Sequence, residues 1–404
     1  MKTTKLFLML TTAIMCLFVN SCSEDDDEDV QKEANYDLSV EIKADGTASN
    51  GSMFSSIDDK SFYLGHVKYT IESGHLEVSG FDNKNLQGNV TIPATITYKG
   101  TSYKVLSICD HAFFRCYGVT SVIIGNNVTS IGEWAFDFCN KLETVMIGNG
   151  VKTIEDGAFS GCTSMKSLTI GNSVTSIGLY AFSDCTELPA IIIPNSVTSI
   201  GYRAFINCTE AKTLVLGKNL QSIATNAFEG CKGLTSVEIP DGVTEIEGVF
   251  AYCKGLKSVK IPNSMTTIGD YAFVGCSDLQ SIDIPNSVTV VGLSAFNGCK
   301  SLRSVNIPNS VIEVRSSAFL GCSELKSITI GNYIKDIQYG AFAQCEGLES
   351  IHCKALTPPN AIISVFADEN DLVYSNATLY VPKGTLEAYQ SAECWSNFKN
   401  IKEE

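Results

Sequence analysis

The chain has 404 residues, 44% of them hydrophobic and 18% charged, which excludes a wholly disordered polyelectrolyte and predicts two or three globular domains or one elongated array. Its formal charge of -15 lacks the basic footprint that a nucleic-acid backbone requires. Four histidines are too few for a histidine-rich metal cluster, and no metal or cofactor is expected.

Residues 1–21 read as an export signal. Lys2 and Lys5 give a positive start, and the apolar stretch from Leu6 to Val19 is shorter than the roughly 20 residues a membrane-spanning helix needs. The segment Val19-Asn20-Ser21-Cys22 resembles a bacterial lipobox, which implies lipidation at Cys22. Residues 22–34 then form an acidic tether. The run Glu24-Asp25-Asp26-Asp27-Glu28-Asp29 repels itself and cannot pack. A serine and an acidic run directly after the lipid cysteine resemble the signal that carries Bacteroidetes lipoproteins to the outer cell surface. That resemblance implies an outer-membrane lipoprotein facing outward; without it, the protein would face the periplasm.

Residues 35–105 contain short alternating runs, Tyr63 to Val67, Tyr69 to Ile71, Leu76 to Val78 and Val90 to Ile92, parted by Gly and Asn/Asp. They predict a small β-meander that caps the start of the next segment.

From residue 106 to 355 one unit recurs eleven times. Its marker, Ala-Phe-x-x-Cys, places cysteines at 116, 139, 162, 185, 208, 231, 253, 276, 299, 322 and 345. All intervals are 23 residues except the one from Cys231 to Cys253, which is 22 and where Val249 replaces the alanine. In the unit near Ser281, Ile282 and Ile284 alternate with polar residues and predict a short strand. Pro285-Asn286-Ser287 predicts a turn, Val288 to Val291 a second extended run, and Ala295-Phe296-x-x-Cys299 one turn of helix. A unit this short cannot bury its own apolar side chains, but stacked units can.

These residues, Leu-x-x-Val/Ile-x-Ile-Pro/Gly and Ile-Gly-x-x-Ala-Phe-x-x-Cys, resemble the BspA-like class of leucine-rich repeats of bacterial surface proteins. The resemblance implies a leucine-rich repeat solenoid, β-rich α/β, made of short parallel strands and single helical turns. It further implies adhesion to a host or bacterial macromolecule. Residues 356–404 are expected to close the array as an α+β cap: Ala377 to Pro382 as a strand, Lys383 to Gln390 as a short helix, with Trp395 and Phe398 over the last unit.

The registered cysteines read as buried, reduced packing thiols rather than zinc ligands, which come in tight pairs. Cys109 falls outside the register and is the best candidate for a partnered cysteine. No phosphate loop, zinc-protease helix or nucleophile elbow occurs, so no catalytic residue is assigned.

Function therefore falls to the positions the repeat leaves free. Between the two buried apolars of each first strand lies an outward column: Ile123, Met146, Thr169, Ile192 and Val215, then Glu238, Lys260, Asp283, Asn306, Thr329 and His352. Its first part is largely apolar and predicts a partner or self-association surface, unless the amino-terminal cap folds over it. A neighbouring Ser/Thr column, including Ser121, Thr144, Ser167 and Ser304, predicts hydroxyl-to-hydroxyl bonds along the ladder; beside it Lys166, Lys212, Lys257, Arg303 and Lys326 make a partly basic column. Trp134, Tyr180, Tyr202, Tyr271 and Tyr339 precede the Ala-Phe pair and could anchor a partner, stack on sugars, or simply pack between turns. A protein or glycan ligand is thus the expected partner, with a glycan-capture lipoprotein or a periplasmic scaffold as alternatives, and no nucleic acid.

Overall fold

The structure is a computed structural model that describes residues 38–82, 86–366 and 372–404. The chain divides into two units, Met1–Asn35 and Tyr36–Glu404. The described residues all belong to the second unit; the export signal, Cys22 and the acidic tether lie outside them.

The second unit is a parallel β-solenoid. Most repeats contribute a first strand, such as Thr144–Ile147, Ser304–Ile307 or Ser327–Ile330, and a two-residue second strand, such as Thr153–Ile154 or Glu313–Val314. Both kinds pair in parallel with their equivalents one repeat away, in strict register: Val145 with Val122 and Leu168, Ile154 with Ile131 and Ile177. The alternation read in the sequence holds, since Val145 and Ile147 are buried whereas Thr144 and Met146 face outward.

The interior consists of stacked copies of the same side chain. The phenylalanine rings from Phe113 to Phe342 lie with centroids 4.7 to 5.8 Å apart and planes within 2° to 13°. Each cysteine thiol except the first donates to a phenylalanine carbonyl of the preceding repeat, as Cys139 Sγ to Phe113 O at 3.2 Å and Cys276 Sγ to Phe250 O at 3.1 Å. A small thiol here fills space and satisfies an acceptor at once.

The expected helical turn at Ala-Phe-x-x-Cys is instead a run of tight turns. Ala135, Asp137 and Cys139 donate back to the carbonyls three residues earlier, but Trp134, Phe136 and Phe138 donate sideways to Asp156, Ala158 and Ser160 of the next repeat. Sharing donors between repeats forces left-handed backbone at Trp134 (φ 53°) and Phe138 (φ 55°), which a right-handed helix cannot contain. Among the described residues helices occur only beyond residue 362, at Ile363–Phe366, Leu372–Asn376, Leu386–Ser391 and Trp395–Asn397.

The stack extends beyond the eleven registered units. Strands Phe54–Ser56, Ser61–Leu64, Val67–Glu72 and His75–Phe81 form an antiparallel meander, and the last of them then pairs in parallel with Thr101–Ile108. Gly88–Ile92 pairs in parallel with Val119–Ile124, and Phe81 stacks on Phe113 at 5.9 Å. At the other end Asn360–Ala361, Thr378–Val381 and Asn400–Glu403 continue the two ladders, and Phe366 stacks on Phe342 at 5.5 Å. Trp395 is fully buried, meets Phe366 edge-on, and donates its indole N–H to Pro359 O at 2.9 Å.

Three departures from the repeat interrupt the ladders. In one, the first strand expected at Ile282 and Ile284 is reduced to a single bridge from Asp283 to Asn306, and the first-strand ladder stops between Ser258–Lys260 and Ser304–Ile307. Pro189 occupies the place where Lys166 and Lys212 donate to the preceding repeat; it has no N–H to give, and the sheet ends between Ser167–Thr169 and Ala190–Ile192. The 22-residue unit lacks one residue between Ile246 and Val249. Gly132, Gly178, Gly201 and Gly269 each donate to the isoleucine carbonyl of the preceding repeat, and no such bond reaches Ile223. Both ladders break here, between Ser222–Ile223 and Glu245–Ile246 and between Thr213–Val215 and Ser236–Glu238.

Candidate binding surface

The first-strand ladder places the outward column side by side. Met146 pairs with Ile123 and with Thr169, and Ile192 with Val215. Ile123, Met146 and Ile192 are half-buried and Val215 is 48% exposed; the hydroxyl of Thr169 interrupts the apolar run. Gly88–Ile92 adds to the sheet edge, setting Thr91 beside Ile123.

Ion pairs border the stripe. Lys166 Nζ lies 3.2 Å from Glu143 Oε1 and 3.9 Å from Glu187 Oε2, so the basic column is interleaved with acids here. The same holds for Lys326 and Glu349 at 2.7 Å. The Ser/Thr column does not form the expected hydroxyl ladder: among the described residues no hydroxyl of that column bonds the next, and Ser121 Oγ is buried without a partner. Threonines ahead of the second strands do link repeats, each to a backbone carbonyl, as Thr175 Oγ1 to Lys152 O and Thr198 Oγ1 to Thr175 O, both at 3.1 Å.

Past the joint, the ladder break between Ile223 and Ser236, the outward column turns polar. Glu238 and Lys260 form an ion pair, Asp283 and Asn306 are exposed, and His352 stacks on Tyr380 at 4.5 Å while its Nδ1 meets Glu404 Oε2 at 2.9 Å.

The aromatic set divides between two columns. Trp134, Tyr180 and Tyr271 take the left-handed place directly before the alanine, whereas Tyr202 and Tyr339 stand one residue earlier. Trp134 is half-buried and lies over Gly157 of the next repeat, where an added Cβ would come within 2.1 Å of the indole. Tyr180 and Tyr202 meet edge to face at 5.5 Å, with the Arg203 guanidinium 5.0 Å from the Tyr202 ring. These three therefore pack between turns, and sequence spacing alone placed them on one surface because an offset of one residue looks small in text.

Sequence reasoning missed a second aromatic group, since its members sit at variable positions of the motif. Phe114, Tyr117 and Phe138 are exposed near the first turns, with the Arg115 guanidinium 4.9 Å from the Phe114 ring and 5.8 Å from that of Phe138.

The cysteines are not set up as nucleophiles. Burial pushes the Cys116 thiol up, and that of Cys276 up to about 12. Cys109 faces Glu77, with Sγ 3.5 Å from Oε2; burial and that carboxylate push it up to about 11.

A family model described as "BspA type Leucine rich repeat region" matches in six copies, over residues 76–212, 154–277 and 247–358, together more than half of the chain. No curated protein sequence matches. Three solved structures are similar. One is a leucine-rich repeat protein from Bacteroides ovatus, 27% identical, covering 85% of this chain and 99% of its own, with TM-score 0.48. Another is a leucine-rich cell surface protein from Faecalibacterium prausnitzii, 29% identical, covering 74% and 96%, with TM-score 0.43. The pneumococcal vaccine antigen PcpA is 20% identical, covers 87% and 100%, and reaches a TM-score of 0.52, a likeness of fold.

Proposed function

The chain belongs to the BspA-type leucine-rich repeat family, and on that premise we propose that it is a lipid-anchored protein of the outer cell surface whose solenoid binds a macromolecular partner, foremost a protein. The observation that carries this reading is the outward column in which Ile123 pairs with Met146 and Ile192 with Val215, with Thr169 between the two pairs. Interior positions stay apolar along the array because each must pack on its counterpart. An outward position is under no such demand, and β propensity alone would not confine apolar residues to one half of the ladder.

A contact surface works best with a desolvated apolar centre inside a polar rim. The stripe has that arrangement, with the Glu143–Lys166–Glu187 ion pairs along its side. Cys22 would carry the lipid, and the acidic run after it would hold the solenoid away from the membrane. The fold needs no bound group for this task; its mechanism is the summation of weak contacts over a rigid face.

The test compares cells producing the native chain with cells producing an Ile123→Asp, Ile192→Asp variant, matched for surface amount, on plates coated with host extracellular proteins. Attachment is expected to fall about tenfold or more, as when central anchors of an interface are lost. Equal attachment by the folded variant, or no attachment by the native chain, would overturn the proposal.

A further inference from the structure

We propose that an open cleft at the carboxy-terminal end of the repeats, far along the chain from the apolar stripe, binds a neutral saccharide. The cleft has a volume of about 370 Å³ and is walled by Ser316, Asp336, Gln338, Tyr339, Asn360 and Ile362. That volume falls in the range of small-molecule sites.

The cleft exists because the repeat gives way here. In several units the residue after the second strand is a glycine packed hard on the previous repeat: a Cβ at Gly201 would lie 2.6 Å from the carbonyl carbon of Gly178, and one at Gly292 2.5 Å from that of Gly269. In the last two units the place is taken by Arg315 and Gln338, and Gln338 rises as a wall. Thr357-Pro358-Pro359 then breaks the period, and the short strand Asn360–Ala361 brings Asn360 against Asp336.

The polar groups are fixed before any ligand arrives. Gln338 Oε1 accepts from the Ser316 N–H at 3.1 Å and from its Oγ at 3.2 Å, while Gln338 Nε2 donates to Glu313 Oε1 at 2.6 Å. Asn360 Nδ2 donates to Asp336 Oδ1 at 2.8 Å. Gln338 uses both ends on its neighbours, whereas Asp336 and Asn360 each use one. The second oxygen of Asp336 and the amide oxygen of Asn360 are left to accept from adjacent hydroxyls of a ligand.

Tyr339 supplies the apolar half of the recognition. It is 64% exposed, and among the described residues no ring or cation packs on it. Tyr202, in the equivalent place, is engaged by Tyr180 and Arg203. A free aromatic face beside paired planar acceptors matches a pyranose ring, which has an apolar C–H face and hydroxyls around its rim. The carboxylates of Glu313 and Asp336 disfavour an acidic sugar, which sets the ligand class as neutral.

Saturation-transfer NMR on the purified full chain, with neutral trisaccharides of glucose, galactose and mannose as probes, tests this. Transfer to at least one probe is expected, with binding about fivefold weaker in Tyr339→Ala. Tyr333→Ala, which alters a tyrosine 66% exposed outside the cleft, should leave it unchanged. Circular dichroism checks that both variants fold. No transfer to any probe, binding undiminished in Tyr339→Ala, or equal loss in Tyr333→Ala would overturn the proposal.

Discussion

The repeats before the joint and those after it share an interior and differ in what they present. On both sides phenylalanine stacks on phenylalanine and thiols donate to carbonyls. On the outward column, Ile123, Met146, Ile192 and Val215 give way to Glu238, Lys260, Asp283 and Asn306. Both sheets break between these two stretches, and the missing residue follows within the first unit beyond the break, after Ile246. The solenoid thus keeps its packing and its outward chemistry on separate positions, so one can change along the array while the other stays constant.

The largest expected effect treats both halves alike. Burial raises ladder thiols such as Cys162 and Cys299 above their ordinary value of 9.0, and Cys276 to about 12. A group whose pKa is raised on folding contributes fully below its unfolded value, and that contribution is lost as pH climbs toward the folded one. Stability should therefore hold below about pH 9 and fall above it, each such thiol adding about 1.4 kcal/mol per pH unit to the slope within that window. Urea unfolding between pH 8 and 11 checks this, and Cys162→Ala and Cys299→Ala should each lessen the slope.

Next in size is the ring ladder. Phe159→Ala is expected to cost about 3–5 kcal/mol in urea unfolding. Phe250→Ala should fall at the low end of that range, since its rings stand 5.8 Å away on both sides, against 5.0 and 5.3 Å for Phe159.

Restoring the missing residue should make the halves more alike. A glycine inserted between Ile246 and Glu247 is expected to give the Ile223 carbonyl a donor and to add about 1 kcal/mol. Hydrogen exchange reads it directly: amides at 245–247 exchange early in the native chain and gain protection in the insertion variant. Unchanged exchange would mean that the ladder break has another cause.

The smallest effect on stability belongs to the stripe itself. Ile123→Asp with Ile192→Asp should shift unfolding by about 1 kcal/mol or less, because both side chains are only half-buried. Binding and stability should thus separate in this variant. A cost of several kcal/mol would show that the column belongs to the core.

Much of the fold was legible because period and chemistry coincide. A phenylalanine every 23 residues can be satisfied only by another phenylalanine above and below, and the single 22-residue interval already marked the joint. The turns at the ends escaped the motif for a stated reason: Phe81 and Phe366 stack like the rest, but no cysteine follows either at the repeat's spacing. The left-handed residues were also illegible. Trp134, Tyr180, Arg203 and Ser294 hold positive φ through bonds to the next repeat, and nothing in their local sequence asks for it. The outward column could be read from alternation alone, whereas the aromatic columns needed the backbone to separate Tyr202 from Tyr180.

The central claim is that this solenoid is displayed outside the cell. Intact cells treated with a protease that cannot cross the outer membrane test it most directly, with a periplasmic protein as control. A displayed chain is cut while the control is spared, and that is the expected result. Protection on intact cells, with cleavage after lysis, would contradict it.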